Sequence, residues 1–130
     1  MPIWRDPWMT FDARTYASDL LAAAGAENVF ADRARRFPLA ADVAGAPARD
    51  GGDRDTRYPR VGEDEIRARA PELALLPDEP YAFGPEDASE VASWGVARRV
   101  ELVSGKDLFW YGVRTADALE RIAASVSRGR

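Results

Sequence analysis

The chain has 130 residues, of which 46% are hydrophobic and 31% charged, and a formal net charge of −4. That is enough polypeptide for one domain with a real core; the apolar content excludes a disordered chain, and the acidic balance without a basic block argues against nucleic acid as a partner. Cysteine and histidine are both absent, which removes disulfides, thiolate sites, thiol nucleophiles, the commonest transition-metal ligand and the usual proton shuttle near neutral pH.

Taken in order, Ile3 and Trp4 read as the tail of a strand, with Arg5 to Met9 leaving it as a loop. Tyr16, Leu20 and Ala24, flanked by Ala17 and Leu21, recur at four-residue spacing and predict a helix with one apolar stripe. Thr15 is placed to cap its start, and Gly25 to end it in the left-handed conformation. Asn28 to Phe30 then returns to extended structure. From Ala31 to Arg57 the periodicity disappears, and 44–55 is rich in Gly, Pro and charge, which predicts a long mobile loop at about 34–57. Asp50, Asp53 and Asp55 within it have the look of an oxygen-ligand calcium loop but lack the downstream bidentate Glu.

Gly62 opens the next helix, with Glu63, Asp64 and Glu65 beside the positive end of its dipole and Val61 and Ile66 spaced as a hydrophobic staple. Pro71 stops it. Leu73 to Leu76 is an uninterrupted apolar run, as expected for a strand covered on both faces, and the loop after it carries Asp78, Glu79 and Tyr81. Gly84 and Pro85, followed by Glu86 and Asp87, start another helix whose buried side is Ala88, Val91 and Trp94. Arg99 to Val103 alternates as a half-exposed strand does, and Ser104 to Asp107 reads as a turn. An aromatic run, Leu108 to Gly112, leads into a loop before a last helix capped by Thr115 and facing inward through Leu119, Ile122, Ala123 and Val126.

Strands alternating with helices predict a single α/β domain over 1–130, a three-layer α/β sandwich around a mainly parallel sheet. In open sheets of this kind ligands lie beyond the carboxyl ends of the strands. That places Glu79 and Tyr81 at a candidate site. Trp4, Arg5, Trp8 and Met9 leave the first predicted strand on the same edge, where Trp8 and Met9 are placed to form an apolar floor and Trp4 reads as core. No window approaches a membrane span, and the first residues lack the pattern of an export signal, so the chain as it stands reads as cytoplasmic.

Several stretches in sequence carry a family likeness: Pro2-Ile-Trp-Arg-Asp-Pro-Trp-Met9, Thr15 to Leu21, Gly25-Ala-Glu-Asn-Val-Phe-Ala-Asp32, Tyr58-Pro59, Asp64-Glu-Ile-Arg-Ala-Arg-Ala-Pro-Glu72, Leu75-Leu-Pro-Asp-Glu-Pro-Tyr81 and Trp110-Tyr-Gly112. Together they resemble the carboxyl-terminal lobe of the helical-backbone metal receptors, the class III solute-binding proteins of cobalamin, ferric-siderophore and haem ABC importers. The resemblance implies one α/β lobe of a two-lobed fold whose lobes are bridged by a long helix and hold ligand between them. It implies binding without catalysis and no resident cofactor or metal of its own.

The resemblance places Trp110, Tyr111 and Arg114 at the ligand cleft with Arg5, Trp8 and Tyr81, where aromatic faces stack on a chelate and arginines meet its anionic oxygens. It further implies that one of Glu63, Asp64 and Glu65 docks on arginines of the membrane permease. Family members lie in the periplasm or are lipid-anchored outside the cytoplasm. This chain departs from the pattern by an insertion between Arg36 and Arg57, and the amino-terminal lobe, bridging helix and export signal are expected but not found in it. Two alternatives stand beside this reading. One is a small cytosolic enzyme using Glu79 as general base and Arg114 to hold an anionic substrate; the other is an orphan lobe that works only with a separate partner lobe.

Overall fold

The computed structural model of the chain describes residues 1–110, 112 and 115–128. Among the described residues six helices and two strands occur, in the order α1 (Tyr16–Ala23), α2 (Leu39–Val43), α3 (Glu63–Arg69), β1 (Leu73–Pro77), α4 (Pro85–Ser93), β2 (Arg99–Val103), α5 (Gly105–Phe109) and α6 (Thr115–Ser127). The fold is therefore mixed α/β around a two-stranded parallel sheet. β1 and β2 pair from Leu73 with Arg99 to Pro77 with Val103, and α4 makes the crossover that a parallel pair requires.

The ladder explains how a proline sits in β1. Arg99 N–H donates to the Glu72 carbonyl and Asp78 N–H donates to the Val103 carbonyl, so even-numbered residues of β1 turn their backbone towards β2. Pro77 is odd-numbered, and its missing N–H removes no bond from the pair. The side chains alternate with the same period. Leu75 joins a cluster with Ile3, Phe11, Leu20, Leu21, Leu108, Ile122 and Val126, whereas Leu76 joins Phe83, Val91 and Val96, with Trp8, Ile66 and Trp94 packed against them.

The helix ends follow their local chemistry. Thr15 caps α1, its hydroxyl accepting from Ser18 N–H at 3.3 Å, and Gly25 after it has φ +85, a conformation that suits glycine. α3 begins after Gly62 with its three acids in the first turn and closes on Ala70 in the left-handed region, just before Pro71. α4 carries Pro85 at its start, and the Asp87 carboxylate accepts the Gly84 N–H at 2.8 Å, closing the first turn back on its cap.

Four expectations change. Ile3 and Trp4 are not the tail of a strand: Ile3 N–H donates to the Met9 carbonyl at 2.8 Å and Met9 N–H to that of Trp4 at 3.0 Å, so the segment pairs with itself across a turn in which Asp6 has φ 55. Asn28 to Phe30 is a turn, because the Asn28 side chain accepts from Phe30 N–H at 3.0 Å and donates to the Phe11 carbonyl at 2.9 Å, a local bond that competes with strand pairing. Residues 105–109 form helix α5 instead of a turn followed by an aromatic run. Thr115 is the first residue inside α6 and not the cap before it.

The 34–57 segment has its own internal structure. Arg33, 5% exposed, donates to the Asp42 carboxylate at 2.7 Å and to Glu65 of α3 at 2.8 Å. Asp42 also accepts the backbone N–H of Arg36 at 3.0 Å and of Arg60 at 2.9 Å, so one buried carboxylate holds both ends of the segment. Further along, Phe37 bridges to Arg49, Arg35 N–H donates to the Thr56 carbonyl, and the Arg35 and Arg54 guanidiniums lie over the Phe37 ring.

Candidate functional site

At the carboxyl end of the parallel pair the β1–α4 loop is fastened to the start of α5. The Asp78 side chain accepts Gly105 N–H at 2.6 Å, supplying the cap that Ser104 does not provide. The two backbones approach so closely that a Cβ on Gly105 would lie 2.6 Å from both Glu79 N and Glu79 O. One residue on, the Glu79 carboxylate accepts the indole N–H of Trp110 at 3.0 Å. Trp110 is 54% exposed, and Lys106 Nζ lies 5.9 Å from its ring centre.

Beside this junction is an open concavity of about 490 Å³ lined by Ile3, Met9, Arg35, Asp55, Tyr58, Glu79, Pro80, Phe109 and Trp110. Its volume is in the range of small-molecule sites. One wall comes from the 34–57 segment and Tyr58, the other from the Glu79–Pro80 loop and the end of α5. The floor is apolar, Ile3 and Met9, and the rim is polar. Asp55 is paired with Arg57 at 2.8 Å, and that guanidinium together with the Arg57 backbone N–H holds its carboxyl down to about 2. Tyr81, at the far end of the same loop, meets Trp4 edge to face with ring centres 5.5 Å apart. Trp4 is 45% exposed, so one exposed indole is attached to each end of the Glu79–Tyr81 loop.

The residues singled out from sequence are dispersed by the fold. Glu79 and Trp110 meet at the concavity, with Tyr81 one step along the loop. Trp8 lies elsewhere, stacked on Phe83 at 5.8 Å and edge-on to Trp94 at 5.1 Å. The Arg5 guanidinium is engaged by Asp87, by Glu90 at 2.9 Å and by Asp6 at 3.4 Å, and it also lies 5.1 Å from the Trp8 ring. The Gly84 N–H and this guanidinium both favour the charged carboxylate, and the Asp87 carboxyl is held below its ordinary value. Tyr111 and Arg114 fall outside the described residues.

Within the acidic turn of α3, Glu63 bonds Arg67 four residues on at 2.6 Å and Glu65 bonds Arg33 at 2.8 Å. Asp64 is exposed and makes no ion pair among the described residues. Asp50 accepts the Gly52 N–H and Asp55 is taken by Arg57; among the described residues no group of three acids converges on one point.

Sequence reasoning missed Arg35 and Tyr58 as site residues and weighed Asp55 only as a calcium ligand, because Arg35 and Asp55 belong to the stretch without periodicity and Tyr58 directly follows it. Tyr58 had a signal: with Pro59 it is one of the motifs that carry the family likeness. Compared with known proteins, the chain matches no family model, no curated protein and no solved structure. No helix among the described residues is long and apolar enough to cross a membrane.

Proposed function

We propose that this chain is the ligand-binding lobe of a solute-binding protein that serves an ABC importer for a metal chelate, without catalysis of its own. In this reading the parallel pair is the middle of a three-layer α/β sandwich, because Leu75 and Leu76 bury themselves in separate clusters on its two faces. The observation that carries the proposal is the concavity beyond the carboxyl ends of β1 and β2. It combines an apolar floor, an arginine and a tyrosine on one wall and a half-exposed indole on the other.

That set suits a ligand with flat or apolar faces and anionic oxygens. The Trp110 face stacks, Arg35 and the Tyr58 hydroxyl reach oxygens, and Glu79 holds the indole at its edge. A ferric siderophore fits this description first, cobalamin or haem second. Exposed Trp4 and Trp110 favour a partner lobe that closes over the site, since exposed aromatics around a shallow recess mark a surface to be covered. Asp64 is the acid of α3 free to meet a permease arginine. A receptor of this kind works outside the cytoplasm.

The test is tryptophan fluorescence during titration with a ferric tris-catecholate, a ferric tris-hydroxamate, cobalamin and haem, using free tryptophan to correct for ligand absorbance. Saturable quenching by one of them, weakened about tenfold or more in Trp110→Ala with its circular dichroism unchanged, is the expected result; tenfold corresponds to about 1.4 kcal/mol. Quenching no greater than the absorbance correction for all four ligands overturns the proposal.

A further inference from the structure

The charged groups around the concavity are not equally free. Two carboxylates line it, and both are engaged: Asp55 is taken by Arg57 at 2.8 Å, and Glu79 accepts the Trp110 indole N–H at 3.0 Å. The cations are in the opposite position. Arg35 lines the recess with its guanidinium 4.9 Å from the centre of the Phe37 ring, and it makes no ion pair among the described residues. On the facing wall Lys106 is exposed and has none either. In a chain of net charge −4, each side of this recess therefore carries a cation without a carboxylate partner among the described residues.

The fold fixes where Lys106 stands. Gly105 before it is pressed against the Glu79 backbone, and the Trp110 N–H donates to the Lys106 carbonyl at 3.2 Å, so the two side chains are one turn apart at the end of α5. Its Nζ lies 5.9 Å from the indole centre. Glu79 meets the same indole yet makes no ion pair with Lys106, so the ring and not the ammonium takes that carboxylate. An exposed ammonium over a ring is held only weakly, and its flexible stem with three donors lets it turn to an anion arriving at the indole. Among the described residues nothing else on this wall offers a positive charge to such an anion.

We infer that Lys106 is a ligand contact that sets the specificity of this site: with Arg35 opposite, it selects a chelate carrying anionic oxygens on two opposed sides over an uncharged chelate of similar size. The inference rests on the chelate-binding reading and adds to it a residue and a charge requirement. A ligand whose carboxylates share one edge satisfies one wall only. A trianionic ferric tris-catecholate, with oxygens all around its metal, meets both.

The experiment titrates the whole chain, Lys106→Gln and Lys106→Arg with two probes, the trianionic ferric tris-catecholate and an uncharged ferric tris-hydroxamate. Lys106→Gln weakens binding of the trianion about fivefold at physiological ionic strength and more in dilute buffer, leaves the uncharged chelate within about twofold, and Lys106→Arg restores most of the loss. Lys106 is the only lysine of the chain, so its acylation by a water-soluble active ester, read by mass spectrometry of the peptide that carries it, follows the unmutated protein directly. Saturating tris-catecholate slows this acylation more than saturating tris-hydroxamate does. Equal weakening of both probes in Lys106→Gln makes the lysine a support for Trp110 and overturns the inference. Unchanged affinity of that variant for the trianion, acylation that saturating trianion does not slow, and binding of the uncharged chelate alone each overturn it as well. Trianion binding that Trp110→Ala weakens and Lys106→Gln does not leaves the chelate reading standing and overturns this inference alone, whereas failure of every chelate to bind overturns both.

Discussion

The two walls of the concavity are held by opposite means. The wall that carries Arg35, Asp55 and Tyr58 is anchored by Asp42, whose fully buried carboxylate takes a guanidinium and two backbone N–H groups. The facing wall is held at its root by contact between the Glu79 and Gly105 backbones and at its tip by the exposed bond from Trp110 to Glu79. A buried, fully partnered charge fixes one geometry, because every alternative leaves it uncompensated. A solvent-exposed hydrogen bond contributes little net stability and exchanges readily for another. One wall is therefore preformed, whereas the indole on the other is free to trade its carboxylate for a ligand.

Asp42→Ala breaks the firm wall and has the largest expected effect. It leaves the N–H groups of Arg36 and Arg60 without an acceptor and Arg33 with Glu65 as its remaining carboxylate, and each buried donor left unsatisfied costs about 1–3 kcal/mol. Urea denaturation reads this as a lower midpoint, and a loss below about 1 kcal/mol would show that the anchor is not what holds the segment. Gly105→Ala tests the root of the facing wall. The new methyl meets backbone and not the end of a flexible side chain, so the Glu79 loop has to move, at about 1–3 kcal/mol for overpacking of this kind. The emission of Trp110 should shift together with the loss of stability. An unperturbed indole in a destabilised variant would separate the root of the wall from its tip.

The parts of this fold that local chemistry dictates were legible in the sequence. β1 is an apolar run between breakers, α1 a stripe with a threonine cap, and α4 a glycine, a proline and two acids in the right order. What escaped depends on partners far along the chain. α5 starts where Asp78, twenty-seven residues upstream, supplies the cap, and nothing in Ser104 to Asp107 announces it. Arg33, Asp42 and Glu65 look like three ordinary surface charges until packing brings them together. Ile3 and Trp4 have strand composition, yet their hydrogen bonds go to the nearest neighbour across a turn. At the candidate site, Glu79 followed from the rule that ligands lie beyond strand ends and Trp110 from the family likeness, while the opposing wall came mostly from an aperiodic segment that carries no such rule.

Glu79→Gln sharpens the contrast at the tip. The substitution keeps an acceptor for the indole but removes the charge, and an exposed change of this size moves stability by no more than about 0.5 kcal/mol. The same titrations with ferric chelates should then tighten if the ligand is anionic, because a carboxylate beside the indole repels it. Weaker binding would instead make Glu79 a direct contact.

The smallest expected effect lies on the rim of the firm wall, at Asp55. Its carboxyl is held at about 2 by Arg57, below the ordinary value near 3.9. A carboxyl lowered by folding contributes stability above its unfolded value and loses that contribution as pH falls towards its folded one, because the unfolded chain takes up the proton first. The window is therefore about pH 4 down to about 2. Both partners are close to half exposed, so salt screens the pair and the contribution is slight. A carbon-detected titration of the Asp55 carboxyl at low and high ionic strength reads it directly: the midpoint should lie well below those of unpaired aspartates and move back towards them in high salt. A midpoint that does not respond to salt would place this rim charge in a more enclosed setting, and the preformed wall would then extend to the mouth of the concavity.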